Sequence, residues 1–162
     1  MICKCASFSL MNKFSQIVSC ECGQVQFQAS VKPILTAVCY CEDCQAAGEI
    51  IGNLQNVKPF REKDGGTPYV TLHDKNWLAL KGQELLRPFK LAPKSSTTRY
   101  VTTCCCSPIF IKFKSGFWTS TYRARYANPP DLEWRNKIEK RRSNLPFSDD
   151  IPRYKGLSLI HI

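Results

Sequence analysis

Ten cysteines, most of them in tight groups, constrain this chain of 162 residues more than any other feature. The densest group is the stretch VCYCEDCQAAG, in which Cys39, Cys41 and Cys44 fall within six residues. Disulfides use cysteines in pairs and gain most from closing long loops, whereas a metal ion needs several soft ligands at one point. The C-x-C-x-x-C run therefore predicts a metal site, with zinc as the expected ion.

The spread of the other cysteines favours free thiols over disulfides. They lie near the N terminus, at Cys20 and Cys22, and at residues 104–106, and none follows. A disulfide framework spreads its cysteines more evenly and needs a secretory signal, but the apolar run near the N terminus is short and flanked by Lys4 and Lys13. We therefore expect a reducing, cytoplasmic compartment. No apolar run reaches the roughly 18 residues of a membrane-spanning helix, so we expect no membrane association.

The hydrophobic pattern predicts one mainly β domain with less regular ends. We expect a poorly ordered leader at residues 1–15, a zinc-binding β domain at residues 16–114 and a basic extension at residues 115–162. One or two helical turns should follow Cys41, within residues 42–48. Alternating apolar residues predict strands at residues 16–20, 24–31, 34–40, 69–73, 85–91, 98–103 and 109–113.

The basic charge is concentrated towards the end of the chain. The net charge is +10, and 11 of the 23 Lys and Arg residues follow Ile111. Five basic residues occur in residues 135–142, directly after Trp134, in a stretch that predicts an exposed helix over residues 130–142. Such a helix can bind a polyanion, or it can be solvated and pack Trp134 and Ile138 on the core. We favour the second interpretation.

A second metal site is predicted from the remaining cysteines. Cys20 and Cys22 are one residue apart and precede Gly23, which frees the backbone to turn around an ion. Two further ligands must come from elsewhere in the chain. The candidates are Cys104, Cys105 and Cys106. Neighbouring side chains point to opposite faces of an extended segment, so these cysteines share an ion only if the backbone turns, and which of them bind stays open.

The central group has one ligand fewer than a closed zinc site. Three thiolates leave the tetrahedron incomplete, and three protein ligands with an exchangeable position are typical of catalytic zinc. His73 is one candidate for a fourth ligand, but a lone histidine beside a strand is more often a surface or core residue. Asp43 is expected to cap the following helical turn rather than bind metal. A single structural zinc with spare cysteines is the alternative to the two sites that we expect.

The order of these motifs resembles the glutathione-dependent formaldehyde-activating enzyme family, which includes centromere protein V. Residues 20–27 read C-x-C-G-x-V-x-F, and residues 39–45 read C-x-C-x-D-C-Q. A late cysteine turn then ends in Ser107-Pro108. The resemblance runs from about Ser19 to Phe110.

The resemblance implies a β-tent fold of antiparallel sheets stapled by zinc–cysteine knuckles, to which we add a short C-terminal helix. It implies a structural zinc on Cys20 and Cys22 with the late group. The family usually ends in C-x-x-C-G-[ST]-P, whereas here Cys106 occupies the glycine position and Thr102 the first ligand position. Cys104 is then the expected replacement ligand beside Cys105.

The resemblance also implies a second zinc on Cys39, Cys41 and Cys44, open to a small thiol such as glutathione. The implied reaction is that of a carbon–sulfur lyase on a thiol–aldehyde adduct, like the synthesis of S-hydroxymethylglutathione. Three thiolates more than neutralise a zinc ion, so a nearby Lys or Arg would help, but the sequence does not identify it. The competing hypothesis is a non-enzymatic, zinc-stabilised binding module whose basic tail contacts an anionic partner.

Overall fold

The computed structural model describes residues 15–29 and 32–156, so most of the predicted leader lies outside the described residues. Its elements, numbered in chain order, are β1 (Gln16–Ser19), β2 (Gln26–Ala29), β3 (Leu35–Cys39), α1 (Glu42–Gly52), β4 (Thr67–His73), β5 (Trp77–Lys81), β6 (Leu86–Phe89), β7 (Thr97–Thr102), β8 (Pro108–Phe113), β9 (Trp118–Tyr122), β10 (Trp134–Asn136) and β11 (Arg153–Tyr154). Single 3₁₀ turns lie at Asp74–Asn76, Gln83–Leu85, Arg123–Arg125 and Ile138–Lys140.

The strands form two sheets. The smaller sheet has the order β1-β2-β5, and the larger one has the order β11-β10-β3-β4-β9-β8-β7-β6. Neighbouring strands are antiparallel, except that β10 runs parallel to both β3 and β11. The predicted mainly β fold is therefore confirmed, and the paired sheets with their cysteine groups agree with a β-tent.

One face of the large sheet packs against the small sheet. Val70 and Leu72 of β4 and Phe110 of β8 share a buried core with Val18 and Phe27 of the small sheet. Side chains alternate between the two faces of a strand, so the residues between these positions point the other way. The opposite face of the large sheet is therefore free to form a second, separate surface.

Helix α1 packs on that opposite face. Its Ile51 and Cys44 are buried with Phe60, with Tyr69 of β4 and with Tyr122 of β9. The helix has 11 residues, so it is longer than the one or two turns expected from the sequence. It places the cysteine motif against the sheet, because its first turn contains that motif.

The segment predicted to be an exposed helix, residues 130–142, contains strand β10 and a single 3₁₀ turn instead, so the predicted short C-terminal helix is wrong. Trp134, Arg135 and Asn136 of β10 are all buried, and they pair with β3. Lys137 then adopts a left-handed backbone with φ of 57°. Hydrogen bonds to the open edge of β3 outweigh the weak helical pattern of the sequence. The predicted domain boundary at residue 114 falls inside one continuous sheet, because β9 and β10 belong to it.

Four of the five basic residues in 135–142 form ion pairs within the fold. The pairs are Arg135 with Glu62 and Asp149, Lys140 with Glu42, Arg141 with Asp64, and Arg142 with Glu49. Arg135 is completely buried, at 2.5 Å from Glu62 and 2.7 Å from Asp149. These pairs leave the suggested polyanion site without structural support. Nowhere in the described ranges is a helix long and apolar enough to cross a membrane.

Candidate metal centres and the adjoining pocket

The first candidate centre is a four-sulfur cluster formed by Cys20, Cys22, Cys104 and Cys105, whose Sγ atoms all lie within 4.8 Å of one another. The Sγ of Cys20 lies 3.6 Å from that of Cys22 and 3.9 Å from that of Cys104. A disulfide has an S–S bond of about 2.05 Å, so these are free thiols. The cluster joins the β1–β2 turn to the β7–β8 turn, and it can hold a metal ion.

Two tight turns present these four sulfurs. Gly23 has φ of 73°, a conformation that favours glycine, and its N–H donates to the Cys20 carbonyl. The N–H of Val25 donates to the Sγ of Cys20 at 3.3 Å. In the second turn Cys106 has φ of 54° and lies outside the cluster. Cys106 thus occupies the family's glycine position in a backbone conformation that explains why glycine is usual there.

Polar neighbours favour a thiolate at Cys105. Burial raises the pKa of this thiol, but hydrogen bonds with Ser107 and Thr102 outweigh burial and lower the pKa to about 5. Arg125 is also buried here, and it donates to the Oγ of Ser107 at 3.2 Å. The same guanidinium lies 2.7 Å from the carboxylate of Glu21, so the cation beside this cluster is already paired.

The second candidate centre is a three-sulfur cluster formed by Cys39, Cys41 and Cys44, whose Sγ atoms also lie within 4.8 Å of one another. Cys39 ends β3, Cys41 is the N-cap of α1, and Cys44 lies in the first turn of the helix. The N–H of Cys44 donates to the Sγ of Cys41 at 3.4 Å. Within the described residues no histidine or carboxylate joins this group.

The three thiols differ in how readily they lose a proton. The neighbouring thiols of Cys39 and Cys44 hold the pKa of Cys41 well below its usual range. The same contacts raise the pKa of Cys39. The cluster alone therefore favours one thiolate, at the N terminus of α1, where the helix dipole also stabilises negative charge. A metal ion bound by all three sulfurs has to displace the other two protons.

A buried cation, Arg99 of β7, faces the three-sulfur cluster. Its side chain is almost completely buried, and its Nη2 donates to the carbonyl oxygen of Asp43 at 3.2 Å. Its Nε and Nη1 have no hydrogen-bond partner among the described residues, which also offer it no ion pair. The positive charge helps to lower the pKa of Cys41. Burying an unpaired charge is costly, so an anionic cluster beside Arg99 is the natural source of compensation.

Tyr69 of β4 adds a hydroxyl group to the same centre. Its O–H donates to the Sγ of Cys44 at 3.7 Å. Burial raises the pKa of Tyr69 well above its usual value, so the phenol keeps its proton at neutral pH. The cluster therefore has a neutral donor and a permanent cation beside it.

A pocket of about 360 Å³, which we call the sheet pocket, opens beside the three-sulfur cluster. Cys39 and Cys44 form part of its wall. Most of the remaining wall comes from alternate residues of β10, β3, β4 and β9, all on the face that the small sheet leaves free. These residues are Leu35, Ala37, Tyr69, Thr71, His73, Trp118, Ser120, Trp134 and Asn136, with Ile34, Ile111 and Phe117 completing the wall.

Two residues suggested by the sequence have other positions. His73 does not join the three sulfurs; it lines the sheet pocket, and its ring stacks on Phe117 with centroids 5.6 Å apart. Asp43 does not cap α1, because the N-cap is Cys41, whose sulfur accepts the capping hydrogen bond. The structure thus gives Cys41 two functions, as helix cap and as candidate ligand.

Sequence reasoning missed Arg99, Tyr69 and the C-terminal wall of the pocket. A signal for Arg99 exists in the strand TTRYVT, where alternation puts Arg99 on the same face as the buried Val101. Charged residues are rarely buried, so a charged residue at a core-facing position is a candidate for a functional site. No comparable signal was available for Asn136, because its strand is only three residues long.

Residues 16–89 match the sequence model of the family described as "Glutathione-dependent formaldehyde-activating enzyme". No curated protein matches the sequence. Among solved structures, a crystal structure of a Rhodobacter sphaeroides protein is similar with 13% sequence identity and a TM-score of 0.49, covering 73% of this chain and 98% of that chain. The matched family segment includes β1 to β6 and the whole three-sulfur cluster, but Cys104 and Cys105 lie beyond it.

Proposed function

We propose that this chain, whose residues 16–89 match the sequence model of the glutathione-dependent formaldehyde-activating enzyme family, is a zinc-dependent carbon–sulfur lyase of that family. Its substrate is an adduct of a small thiol and an aldehyde, and it catalyses both formation and cleavage of the bond between them. Glutathione is the thiol that the family name indicates.

The observation that carries this proposal is the position of the three-sulfur cluster on the wall of a pocket. Structural metal sites are closed by four protein ligands, whereas catalytic ones retain a position for substrate. The Sγ atoms of Cys39, Cys41 and Cys44 form such an incomplete set, and two of these residues line the sheet pocket. A substrate that enters the pocket therefore comes next to the candidate ligands.

We propose that each cluster holds one zinc ion. Two sulfurs bound to a tetrahedral zinc at about 2.3 Å lie roughly 3.8 Å apart. The Cys20–Cys22 and Cys20–Cys104 sulfur separations of 3.6 Å and 3.9 Å agree with that value. Both donor sets are thiols, the ligand type that zinc accepts in structural sites. When bound to the three-sulfur cluster, zinc would supply Lewis acidity and lower the pKa of a thiol.

The proposed reaction involves no net oxidation or reduction. The substrate thiol loses its proton, and its sulfur attacks the carbonyl carbon, which forms the C–S bond. The π electron pair of the carbonyl moves to the oxygen, which takes up one proton and becomes a hydroxyl group. Cleavage is the reverse of these steps, so one site performs both directions.

Arg99 supplies the charge balance that this site needs. Three thiolates and one divalent ion leave one negative charge, which the guanidinium of Arg99 cancels before a substrate thiolate arrives. Its unpartnered Nε and Nη1 are consistent with that function. Tyr69 keeps its proton at neutral pH, so its hydroxyl can donate a hydrogen bond to the oxygen on which negative charge develops. Both side chains belong to strands of the large sheet, which keeps their positions rigid.

A reducing compartment such as the cytosol suits this chemistry. All eight described cysteines are free, and both clusters need their sulfurs as thiolates to bind metal. We therefore place the proposed activity in the cytosol.

The test combines metal content with turnover in the purified full chain. We expect two zinc equivalents in the unaltered protein, and one when Cys39, Cys41 and Cys44 are all changed to Ser. Adduct formation is followed by exchange NMR for a panel of thiol–aldehyde pairs, each against its uncatalysed rate. Acceleration of at least one pair should be lost in Cys41→Ser.

Cys41→Ser is the sharper variant because serine is itself a favoured N-cap residue, so α1 should keep its cap. Cys106→Ser is the matched control, since Cys106 lies outside both clusters. An unchanged zinc count in the triple variant, or equal turnover in Cys41→Ser and Cys106→Ser, would contradict the proposal.

A further inference from the structure

Aromatic rings dominate the mouth and walls of the sheet pocket. His73 and Phe117 are stacked with an interplanar angle of 13°, and Phe117 meets the ring of Trp118 edge-on at 5.2 Å. Trp134 lines the pocket from β10. Phe117 is 64% exposed, an unusual exposure for a phenylalanine that stands at the entrance to a cavity. Such a set of rings can hold a planar apolar group by stacking and edge-to-face contacts.

Charged partners are missing from the same surface. None of the described residues that line the sheet pocket is a lysine, arginine, aspartate or glutamate. Glutathione carries two carboxylates and one ammonium group, and these would be left unpaired inside such a pocket. Formaldehyde has no substituent to occupy a cavity of about 360 Å³. The pocket therefore fits a larger and uncharged part of the adduct.

One polar atom of the pocket wall has no partner in the fold. The side chain of Asn136 is nine-tenths buried, and its Oδ1 has no hydrogen-bond partner among the described residues. Asn136 is paired in register with Cys39, so it stands beside the three-sulfur cluster. A carbonyl oxygen there can accept a hydrogen bond from the hydroxyl group that forms when a thiol adds to an aldehyde.

We propose that the sheet pocket selects thiol–aldehyde adducts that carry an uncharged aryl group, an inference about substrate class that rests on the proposed lyase function. The aryl group lies among His73, Phe117, Trp118 and Trp134, and the new hydroxyl group is received by Asn136. Any charged part of the thiol remains outside the pocket. The aryl group can arrive on either reactant, the aldehyde or the thiol.

Binding is tested first, with unreactive probes on the zinc-loaded full chain. Benzyl alcohol should change the intrinsic tryptophan fluorescence in a saturable way, because Trp118 and Trp134 line the pocket. S-methylglutathione, which is charged and has no free thiol, should bind at least about tenfold more weakly. Phe117→Ala should weaken benzyl alcohol about three- to tenfold. Leu78→Ala removes a side chain of similar exposure, 57%, from the small sheet and should have no effect.

Turnover then separates the two sources of the aryl group. Benzaldehyde with 2-mercaptoethanol tests the aldehyde, and formaldehyde with phenylmethanethiol tests the thiol. At least one of these pairs should be accelerated about tenfold or more over formaldehyde with glutathione. Asn136→Leu removes the carbonyl oxygen that is proposed to accept from the new hydroxyl group, so it should reduce that acceleration.

The outcomes separate the two proposals. Equal acceleration of all pairs, or a stronger effect with glutathione, overturns the aryl preference while the lyase function stands. Saturable benzyl alcohol binding that depends on Phe117, without turnover of any pair, supports the aryl pocket and overturns the lyase. Equal binding of benzyl alcohol and S-methylglutathione, or loss of neither in Phe117→Ala, overturns the aryl pocket.

Discussion

The two cysteine clusters of this chain use the same ligand atom in opposite surroundings. The four-sulfur cluster ties together two turns that are 84 residues apart, and four sulfurs complete a tetrahedral set. The three-sulfur cluster is built almost locally, from the end of β3 and the start of α1, and it adjoins a pocket. The number and location of the ligands, rather than their chemistry, therefore distinguish a structural cluster from a candidate reaction centre.

The buried arginines beside the two clusters, Arg125 and Arg99, differ in how their charge is compensated. Arg125 is paired with Glu21 and donates to Ser107, so its charge is compensated by the protein itself. Arg99 forms no ion pair with a carboxylate among the described residues, and its Nε and Nη1 have no hydrogen-bond partner there. Arg125 therefore belongs to the scaffold, whereas Arg99 could balance charge that changes during the proposed reaction.

The largest expected effect comes from breaking the four-sulfur cluster. Cys104→Ser removes one of the two candidate ligands by which the β7–β8 turn joins the β1–β2 turn. The binding energy of the proposed structural zinc is folding energy. We expect a loss of several kcal/mol, and a fall in Tm of about 10 °C or more, by differential scanning calorimetry.

Cys106→Ser is the control for this loss, because it changes a cysteine of the same turn that lies outside the cluster. Its Tm should stay within about 2 °C of the unaltered protein. If Cys104→Ser and Cys106→Ser unfold at the same temperature as the unaltered protein, the four-sulfur cluster does not staple the fold.

The next two variants replace Arg99 and Arg125, one at a time, by methionine, an apolar side chain of similar length. Arg99→Met should reduce turnover by about 10²–10³-fold, because charge compensation at the reacting centre is lost. Its effect on the stability of the metal-free protein should be small or even favourable, because it removes a buried guanidinium that forms no ion pair with a carboxylate among the described residues.

Arg125→Met should show the reverse pattern, with stability reduced and the turnover per folded molecule retained. Steady-state kinetics and chemical denaturation on both variants provide the measurement. A loss of turnover that is equal in the two variants would show that Arg99 has no special relation to the reaction.

The smallest effect concerns the ion pair between Arg135 and Asp149 in the C-terminal segment. Hydrogen bonds from Arg135 lower the pKa of Asp149 in the folded protein. The resulting stability is fully present above the pKa of the unfolded carboxyl, about 3.9, and is lost as the pH falls through the lower folded pKa. Asp149→Asn should therefore cost about 1 kcal/mol near pH 6, and this difference should shrink below about pH 4.

Asp150→Asn is the matched control, because Asp150 is exposed and adjacent. Taking the difference between each variant and the unaltered protein at the same pH cancels the acid sensitivity of the proposed metal sites. A difference for Asp149→Asn that grows on acidification would show that the carboxylate is not the stabilising form.

Most of the central fold could be predicted from local patterns. The hairpin of β1 and β2, and the strands that contain Tyr69, Val101 and Ile109, follow from alternation between apolar and polar residues. The β10 strand could not be predicted, because its three residues pair with β3 through the backbone, which no side-chain pattern reports. From the sequence Arg135 is expected on the surface. It is buried because Glu62 and Asp149, which are distant in the sequence, form ion pairs with it.

The candidate site was partly predictable for the same reason. Cysteine spacing alone indicates which sulfurs can share an ion, because the cysteines of a C-x-C or C-x-x-C run are close together in space wherever the backbone turns. Arg99, Tyr69 and Asn136 reach the three-sulfur cluster from three different strands, and only the register of the large sheet brings them there. Spacing within a motif is local information, whereas the environment of the motif depends on pairing between distant segments.

The parallel pairing of β10 with β3 has a practical consequence for experiments on truncated versions of this protein. A fragment that stops after β9 would leave the hydrogen-bonding groups of β3 uncovered, and an uncovered strand readily recruits another molecule. It would also lack the indole of Trp134 and the amide of Asn136. Inactivity or aggregation of such a fragment would say nothing about the chemistry of the intact chain.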